Sequence, residues 1–240
     1  MPRKLLRFLD FIYPASCHLC ECPLRYGKHL CRSCQDSLPS VQPPFCCRCG
    51  DCYEGEISEI SCCPNCHDLN LDFEFARAAL RNTGGARTLL HDYKYQRKIH
   101  LTNDLGELLL TGLADPRFIP YRANGLLIPV PLHPTRLRKR KFNQSEEMAA
   151  RLAKLIGLPM KKALKRSRQT LTQTRLGRSV RLKNLHGAFQ PVANCKTMIA
   201  DKNIILIDDV FTTGSTVNEC TRVLIENGAP RVAVLTLLRG

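Results

Sequence analysis

The chain has 240 residues, a formal net charge of +15, fourteen cysteines and no tryptophan. This length allows one sizeable hydrophobic core and a small additional module. Residues 1–14 are basic and then apolar, but Arg7 and Asp10 interrupt the apolar stretch, and no run in the sequence approaches the length that spans a bilayer. We therefore expect neither a signal peptide nor a membrane span, but a cytoplasmic protein whose reduced thiols favour metal over disulfides.

The positive charge is concentrated in one central part of the chain. Residues 1–66 carry seven basic and seven acidic residues, which cancel. Residues 122–187 carry seventeen basic residues, against which stand only Glu146 and Glu147. A solvated surface does not normally collect charge of one sign in this way, so the distribution predicts an anionic ligand, a nucleic-acid backbone, or both.

The first quarter of the chain is a cysteine-rich module, with four Cys-x-x-Cys pairs that share no cysteine. Both sulfurs of such a pair can reach one ion, and four thiolates complete a closed, structural tetrahedral site. The simplest grouping gives two structural Zn²⁺ sites, one on Cys17, Cys20, Cys31 and Cys34 and one on Cys46, Cys49, Cys63 and Cys66. The register stays open because neighbouring residues compete as ligands, namely Cys22, Cys47, Cys52, Cys62, His18, His29 and His67. The alternative is a set of reduced, unliganded cysteines with at most one metal.

Beyond the cysteines, strand and helix patterns alternate, which predicts an α/β domain with a parallel sheet. The predicted elements are a strand over 75–80, a helix over 87–94 after a turn at Gly84-Gly85, a helix over 102–113, a strand over 126–130 and an amphipathic helix over 145–156. Ser145 is the expected N-cap of the last helix. The basic residues 136–141 are expected in the loop before it, where a parallel sheet places its ligand. Residues 167–189 predict a long mobile loop that becomes helical towards its end.

Near the C-terminus, residues 204–216 read IILIDDVFTTGST. The apolar run 204–207 is typical of a strand buried on both faces, and Asp208 and Asp209 are expected where this strand leaves the sheet. The hydroxyls and backbone amides of the following loop, at the start of a helix over 217–227, suit a phosphate. A strand over 232–237 completes one crossover unit. The alternative is an ordinary solvated helix start.

This run resembles the phosphoribosyl-diphosphate signature of type I phosphoribosyltransferases. The resemblance implies that the two acids, Asp208 and Asp209, contact the ribose hydroxyls as catalytic residues. It also implies that a loop wraps the 5′-phosphate, formed here by Val210, Phe211, Thr212, Thr213, Gly214, Ser215 and Thr216. The fold implied is a Rossmann-type parallel sheet with helices on both faces, over residues 69–240, after a zinc-ribbon module over residues 1–68.

The wider pattern resembles the ComF family. It consists of PVPLHP, FNQS, TQT and IDDVFTTGST behind a cysteine-rich N-terminus. The family pattern often has a glycine before the Phe-Asn-Gln triplet, where this chain has Lys141. The resemblance implies phosphoribosyl diphosphate with Mg²⁺ as ligand, a role in DNA uptake, and single-stranded DNA or proteins of the uptake machinery as partners. The candidate pyrophosphate or anion contacts are Lys94, Arg136, Arg140, Lys141, Asn143, Gln144, Arg168 and Arg181. For Lys94 the alternative is an ordinary solvated helix lysine.

The sequence leaves open whether the protein catalyses phosphoribosyl transfer. No general base for an acceptor is evident, and no segment after the last predicted strand could form the hood that recognises a nucleobase. We therefore expect binding of phosphoribosyl diphosphate ahead of turnover. The alternatives are a metabolic phosphoribosyltransferase acting on an unidentified base or amine, and a ligand-sensing regulator.

Overall fold

The computed structural model describes residues 15–25, 27–52, 62–67, 70–168 and 185–240. The α-helices are α1 Arg32–Asp36, α2 Pro64–His67, α3 Gly84–Tyr95, α4 Thr102–Leu113, α5 Ile119–Ala123, α6 Pro134–Arg140, α7 Gln144–Ile156, α8 Cys195–Ile199 and α9 Ser215–Glu226. The strands are β1 Ala15–Ser16, β2 Pro23–Leu24, β3 Ala76–Arg81, β4 Gly125–Pro129, β5 Leu164–Arg166, β6 Phe189–Pro191, β7 Asn203–Phe211 and β8 Arg231–Arg239. No helix of this part of the chain is long and apolar enough to cross a membrane.

The centre of the fold is a four-stranded parallel sheet in the order β3-β8-β7-β4. Side chains alternate along β7, so that Ile205 and Ile207 pack with α4 and α7 on one face. Ile204 and Leu206 pack with α9 on the other face. Apolar runs such as 204–207 are buried on both sides for this reason. The predicted α/β class with helices on both faces is confirmed.

Both outer strands of this sheet are covered by backbone from elsewhere in the chain. The amides of Arg81 and Ala76 in β3 each donate to a carbonyl within residues 39–48, with N···O distances of 2.7 Å. On the other side, Leu127 of β4 exchanges hydrogen bonds with residues 159–161 at 2.9 and 3.0 Å. The cysteine-rich module therefore attaches to the sheet through β3.

The basic segment before α7 differs from the sequence prediction. Residues 134–140 form the helix α6 and not a loop, with Pro134 in the first turn and the ring of His133 accepting from the amide of Thr135. Lys141 follows in the left-handed conformation, with φ of 73°. This conformation favours glycine. The structure thus gives Lys141 the backbone that a glycine would adopt there.

Other predicted turns and helix caps also differ from those in the structure. The expected turn at Gly84-Gly85 is the first turn of α3. Asn143 and not Ser145 is the N-cap of α7, because its Oδ1 accepts from the amide of Ser145 at 3.2 Å. The helix over 102–113 is confirmed. Of the predicted mobile loop over 167–189, residues 169–184 lie outside the described residues. On either side of them β5 and β6 form an antiparallel pair that the sequence pattern did not predict.

Candidate functional site

Two adjacent carboxylates lie near the carboxyl end of β7. The strand stays in register with β8 beyond them, and Asp208 lies opposite Thr236, so the acids lie within the strand and do not follow it as expected. Asp208 is 9% exposed, and its Oδ1 accepts from Ser145 Oγ at 3.0 Å and from the amide of Asp209 at 2.8 Å. Burial and the charge of Asp209 raise the pKa of Asp208 from its ordinary value of 3.8 to about 7.

Lys94 contacts this acid pair from the last turn of α3. Its Nζ lies 2.8 Å from Asp209 Oδ1, and both side chains are largely buried. An ammonium held against one carboxylate reduces the electrostatic cost of placing two acids side by side. The contact brings the predicted residues Lys94, Asp208 and Asp209 into one place.

The predicted phosphate loop is a short connection between two regular elements. Val210 and Phe211 end β7, residues 212–214 connect, and Ser215 and Thr216 open α9. Gly214 has a φ of +79°, and a Cβ there would lie 2.7 Å from the ring of Phe211. The hydroxyls of Thr213 and Ser215 lie 2.9 Å apart.

This connection ends at the N-terminus of a twelve-residue helix. The first amides of a helix have no partner within it, and the helix dipole places partial positive charge there. Hydroxyl groups, the amides of the helix N-terminus and the dipole together can hold a phosphate group.

The remaining predicted candidates take different positions. Asn143 caps α7 and donates from Nδ2 to Val130 O at 3.0 Å. Gln144 is buried and accepts from Arg140, whose guanidinium also lies over the ring of Tyr95 at 5.5 Å. Arg168 donates to His186 O at 2.9 Å.

Arg136 lies within electrostatic range of Arg166. Arg181 lies outside the described residues.

Two arginines near the site were not singled out from the sequence. Arg166 of β5 is within electrostatic range of Asp208. Arg239, the last residue of β8, donates from Nη1 to the carbonyls of Phe211 and Thr212 at 3.1 Å each, where the phosphate loop begins. No local pattern marks either residue, because each reaches the site through the tertiary fold.

The second cysteine group predicted from spacing is assembled in the structure. The sulfurs of Cys46, Cys49, Cys63 and Cys66 lie within 4.8 Å of one another, and all four residues are buried. Amides of Cys49 and Cys63 donate to the Cys46 sulfur at 3.5 and 3.2 Å, and hydrogen bonding from Cys49 lowers the pKa of Cys46 to about 3. Four thiolates with amide donors are the donor set of a structural zinc site, so these residues fit Zn²⁺.

The first cysteine group differs by one residue from the predicted grouping. Cys17, Cys20, Cys22 and Cys31 are the four whose sulfurs lie within 4.8 Å. In the structure Cys22 therefore takes the position in this group that the spacing assigned to Cys34. The amide of Cys34 donates to the Cys31 sulfur at 3.3 Å, so Cys34 borders the same group. This group also fits structural zinc, and its ligand register stays a prediction.

Two of the competing histidines face the core domain. His18 Nε2 lies 3.0 Å from Asp92 Oδ2 and His29 Nδ1 lies 3.4 Å from Asp104 Oδ2. These carboxylates belong to α3 and α4. The two rings therefore help to join the module to the helices.

Comparison with known proteins identifies two domain types. Residues 143–240 match the model of the phosphoribosyl transferase domain, and residues 8–67 match the model of the double zinc ribbon domain. The first match contains the acid pair, the phosphate loop and Arg239. The second contains both cysteine groups, which supports structural zinc.

Curated relatives match the chain over nearly its whole length. "Competence protein F" of Haemophilus influenzae is 28% identical, covering 98% of this chain and 100% of its own. "DNA utilization protein YhgH" of Salmonella typhimurium is 30% identical, covering 93% and 89%. Among solved structures, a hypoxanthine phosphoribosyltransferase from Staphylococcus aureus is 17% identical with a TM-score of 0.37, covering 57% of this chain and 64% of its own.

Proposed function

The chain belongs to the ComF family, and we propose that it binds phosphoribosyl diphosphate at the acid pair and single-stranded DNA on a neighbouring basic surface. One observation carries the first part. Asp208, Asp209, the connection over residues 212–214 and the N-terminus of α9 follow one another in a single segment. This segment supplies acceptors for sugar hydroxyls next to donors for a phosphate.

Each group has a role in this proposal. Carboxylates accept hydrogen bonds from the two ribose hydroxyls, so Asp208 and Asp209 orient the sugar. The amides and hydroxyls over residues 212–216 hold the 5′-phosphate at the helix N-terminus. The ammonium of Lys94 exchanges its contact with Asp209 for one with the pyrophosphate when the ligand binds. Ser145 fixes the carboxylate of Asp208 through their 3.0 Å hydrogen bond.

Mg²⁺ is the metal proposed to accompany the ligand. Oxygen atoms are its preferred donors, and the acid pair offers carboxylates close to where the pyrophosphate would lie. When bound, Mg²⁺ neutralises the charge of the pyrophosphate.

Binding is proposed ahead of phosphoribosyl transfer, because the groups brought together all serve the sugar and its phosphates. A transferase acting on an unidentified base or amine would use the same site. Release of pyrophosphate in the presence of an acceptor separates the two functions.

The test is calorimetric titration of the zinc-loaded protein with phosphoribosyl diphosphate and Mg²⁺, with ribose 5-phosphate as the comparison ligand. The double variant Asp208→Ala, Asp209→Ala should lose binding and keep its zinc content, because both cysteine groups lie elsewhere. Asp36→Asn, which removes an exposed carboxylate of α1, is the matched control. Unchanged affinity in the double variant would refute the site.

The second part of the proposal concerns the Tyr95 surface, which we define as Tyr95, Arg97, Lys139 and Arg140. The Tyr95 ring is 66% exposed and lies under the guanidinium of Arg140. Arg97 ties the end of α3 to α6 by donating to Lys139 O at 2.9 Å. An exposed ring among cations combines base stacking with attraction for the phosphate backbone, as single-strand binding requires.

Several observations support DNA as the partner of this surface. Two relatives are named for competence and DNA utilization. The basic excess of residues 122–187 includes α6. Tyr95 also follows Lys94 directly in α3, so the same helix carries a residue of the Tyr95 surface and a residue of the sugar-phosphate site. A reducing compartment such as the cytoplasm would keep the cysteine groups available for zinc.

Fluorescence anisotropy with a labelled oligonucleotide tests this surface. Tyr95→Ala should weaken single-strand binding about tenfold with little change in its salt dependence, because it removes stacking and not charge. Arg140→Gln should also lower the slope of log affinity against log salt by about 0.7. Lys202→Gln removes the same charge beside the start of β7, at the opposite end of the sheet, and should change neither. Equal binding by the Tyr95 variant would exclude this surface.

A further inference from the structure

We propose that zinc in the second cysteine group holds the phosphate loop in its binding conformation, with Arg239 as the positioning residue between them. The inference rests on the proposed function, because it concerns the same loop. It gives the cysteine-rich module a direct role in binding the sugar phosphate.

One buried guanidinium joins the two sites. The Arg239 side chain is 8% exposed. Its Nη1 donates to Phe211 O and Thr212 O, the two carbonyls at which the loop leaves β7. Its Nη2 lies 3.0 Å from Asp51 Oδ2 and 3.8 Å from the Cys49 sulfur. A single planar group thus contacts the loop on one side and a cysteine of the zinc group on the other.

The same guanidinium also contacts the loop through the ring of Phe211. Arg239 lies over that ring at 5.1 Å from its centroid. Gly214 is another neighbour of this ring, and a methyl group there would come within 2.7 Å of it. Movement of Arg239 therefore displaces both the carbonyls and the ring that set the path of residues 212–214.

Zinc determines whether the guanidinium keeps its partners. A guanidinium cannot lose its charge, so a buried one requires acceptors in fixed positions. Four thiolates on one Zn²⁺ carry net negative charge and fix the Cys49 sulfur and the neighbouring Asp51. Without the ion, no metal–sulfur bond holds the four cysteines together, so the group opens and Arg239 loses this half of its contacts. Thr212 O then loses the donor that Arg239 supplies, whereas Phe211 O keeps only the amide of Gly240.

Hydrogen exchange measured by mass spectrometry tests the link without any ligand. We expect chelation of zinc to increase exchange of the amides over residues 212–216. Asp51→Asn should do the same while zinc stays bound, as checked with a chromogenic chelator. Arg239→Lys keeps the positive charge but removes the planar guanidinium that reaches both sides. Hydrogen exchange over residues 212–216 should therefore be fast in this variant even before chelation, and chelation should increase it little. Arg117→Lys is the control, because Arg117 donates to Cys47 O at 2.7 Å but does not contact the loop.

Affinity for phosphoribosyl diphosphate is the second readout. Asp51→Asn and Arg239→Lys should each weaken it about tenfold, the effect of losing one charge-assisted hydrogen bond. Unchanged loop exchange in the zinc-loaded Asp51→Asn protein and after chelation of the wild type would overturn the inference. If the wild type binds no phosphoribosyl diphosphate, the proposed function fails, whereas the exchange data still decide whether zinc and the loop are coupled.

Discussion

Replacement of Asp208 by asparagine should stabilise the zinc-loaded, ligand-free protein at alkaline pH. Burial and the charge of Asp209 raise the pKa of Asp208 from 3.8 to about 7. A carboxyl group with a raised pKa in the folded state gives its full stability below the unfolded pKa and loses it as the pH rises through the folded pKa. Asparagine does not ionise and therefore avoids this loss.

The magnitude follows from the shift. About three pKa units correspond to about 4 kcal/mol near pH 8. Near pH 5 the carboxyl group is protonated in the folded state and ionised in the unfolded state, and the same relation gives about 2 kcal/mol. Asparagine keeps an oxygen to accept from Ser145 and from the amide of Asp209, so these two hydrogen bonds need not be lost.

Urea unfolding of the wild type and Asp208→Asn, in buffer without Mg²⁺, measures the difference in the free energy of unfolding at both pH values. The advantage of the variant should grow by about 2 kcal/mol between them. The exposed Asp36 supplies the control, since Asp36→Asn should change the stability little at either pH. A variant no more stable than the wild type near pH 8, or an advantage independent of pH, would refute the reasoning.

Three further changes test the site. Lys94→Met should lower the free energy of unfolding at neutral pH by about 3 kcal/mol in urea titrations, because it leaves Asp209 without its buried partner; a neutral effect would mean that the ion pair contributes nothing. Gly214→Ala should lower the melting temperature and weaken phosphoribosyl diphosphate binding, since its φ is positive and the methyl group would meet Phe211. Lys141→Gly should raise the free energy of unfolding by about 1 kcal/mol by relieving a left-handed conformation, and a loss of stability would contradict this.

The sequence predicted those parts of the site that follow from consecutive residues. The strand, the acid pair, the connection and the helix over 204–227 lie in one segment, so local chemistry was enough to place them together. The helix over 102–113 has the apolar spacing of a buried face and was predicted with correct ends. The second cysteine group was likewise gathered as its spacing suggested, because paired knuckles bring their sulfurs together locally.

The other parts of the fold and of the site depend on contacts between residues far apart in the sequence, which no local pattern predicts. Arg239 and Cys49 are 190 residues apart in sequence. Helix α6 has only Leu137 as a large apolar residue, and that side chain is 42% exposed, so it shows no apolar periodicity. Asn143 and Ser145 are both residue types that cap helices, and tertiary contacts decide between them. Asn143 is held at the cap by donating to Val130 O, whereas the hydroxyl of Ser145 donates to Asp208.

The backbone that covers β3 has a consequence for self-association. An uncovered outer strand offers a row of free amides and carbonyls on which a second chain can pair, and five of the six residues of β3 are buried. A shortened chain beginning at residue 69 would keep the acid pair and the phosphate loop but would lose the backbone of residues 39–48, which accepts hydrogen bonds from β3. Such a fragment is expected to aggregate through β3. The cysteine-rich module thus also protects the sheet from polymerisation, so a fragment without it is a poor source of monomer for studying the sugar-phosphate site.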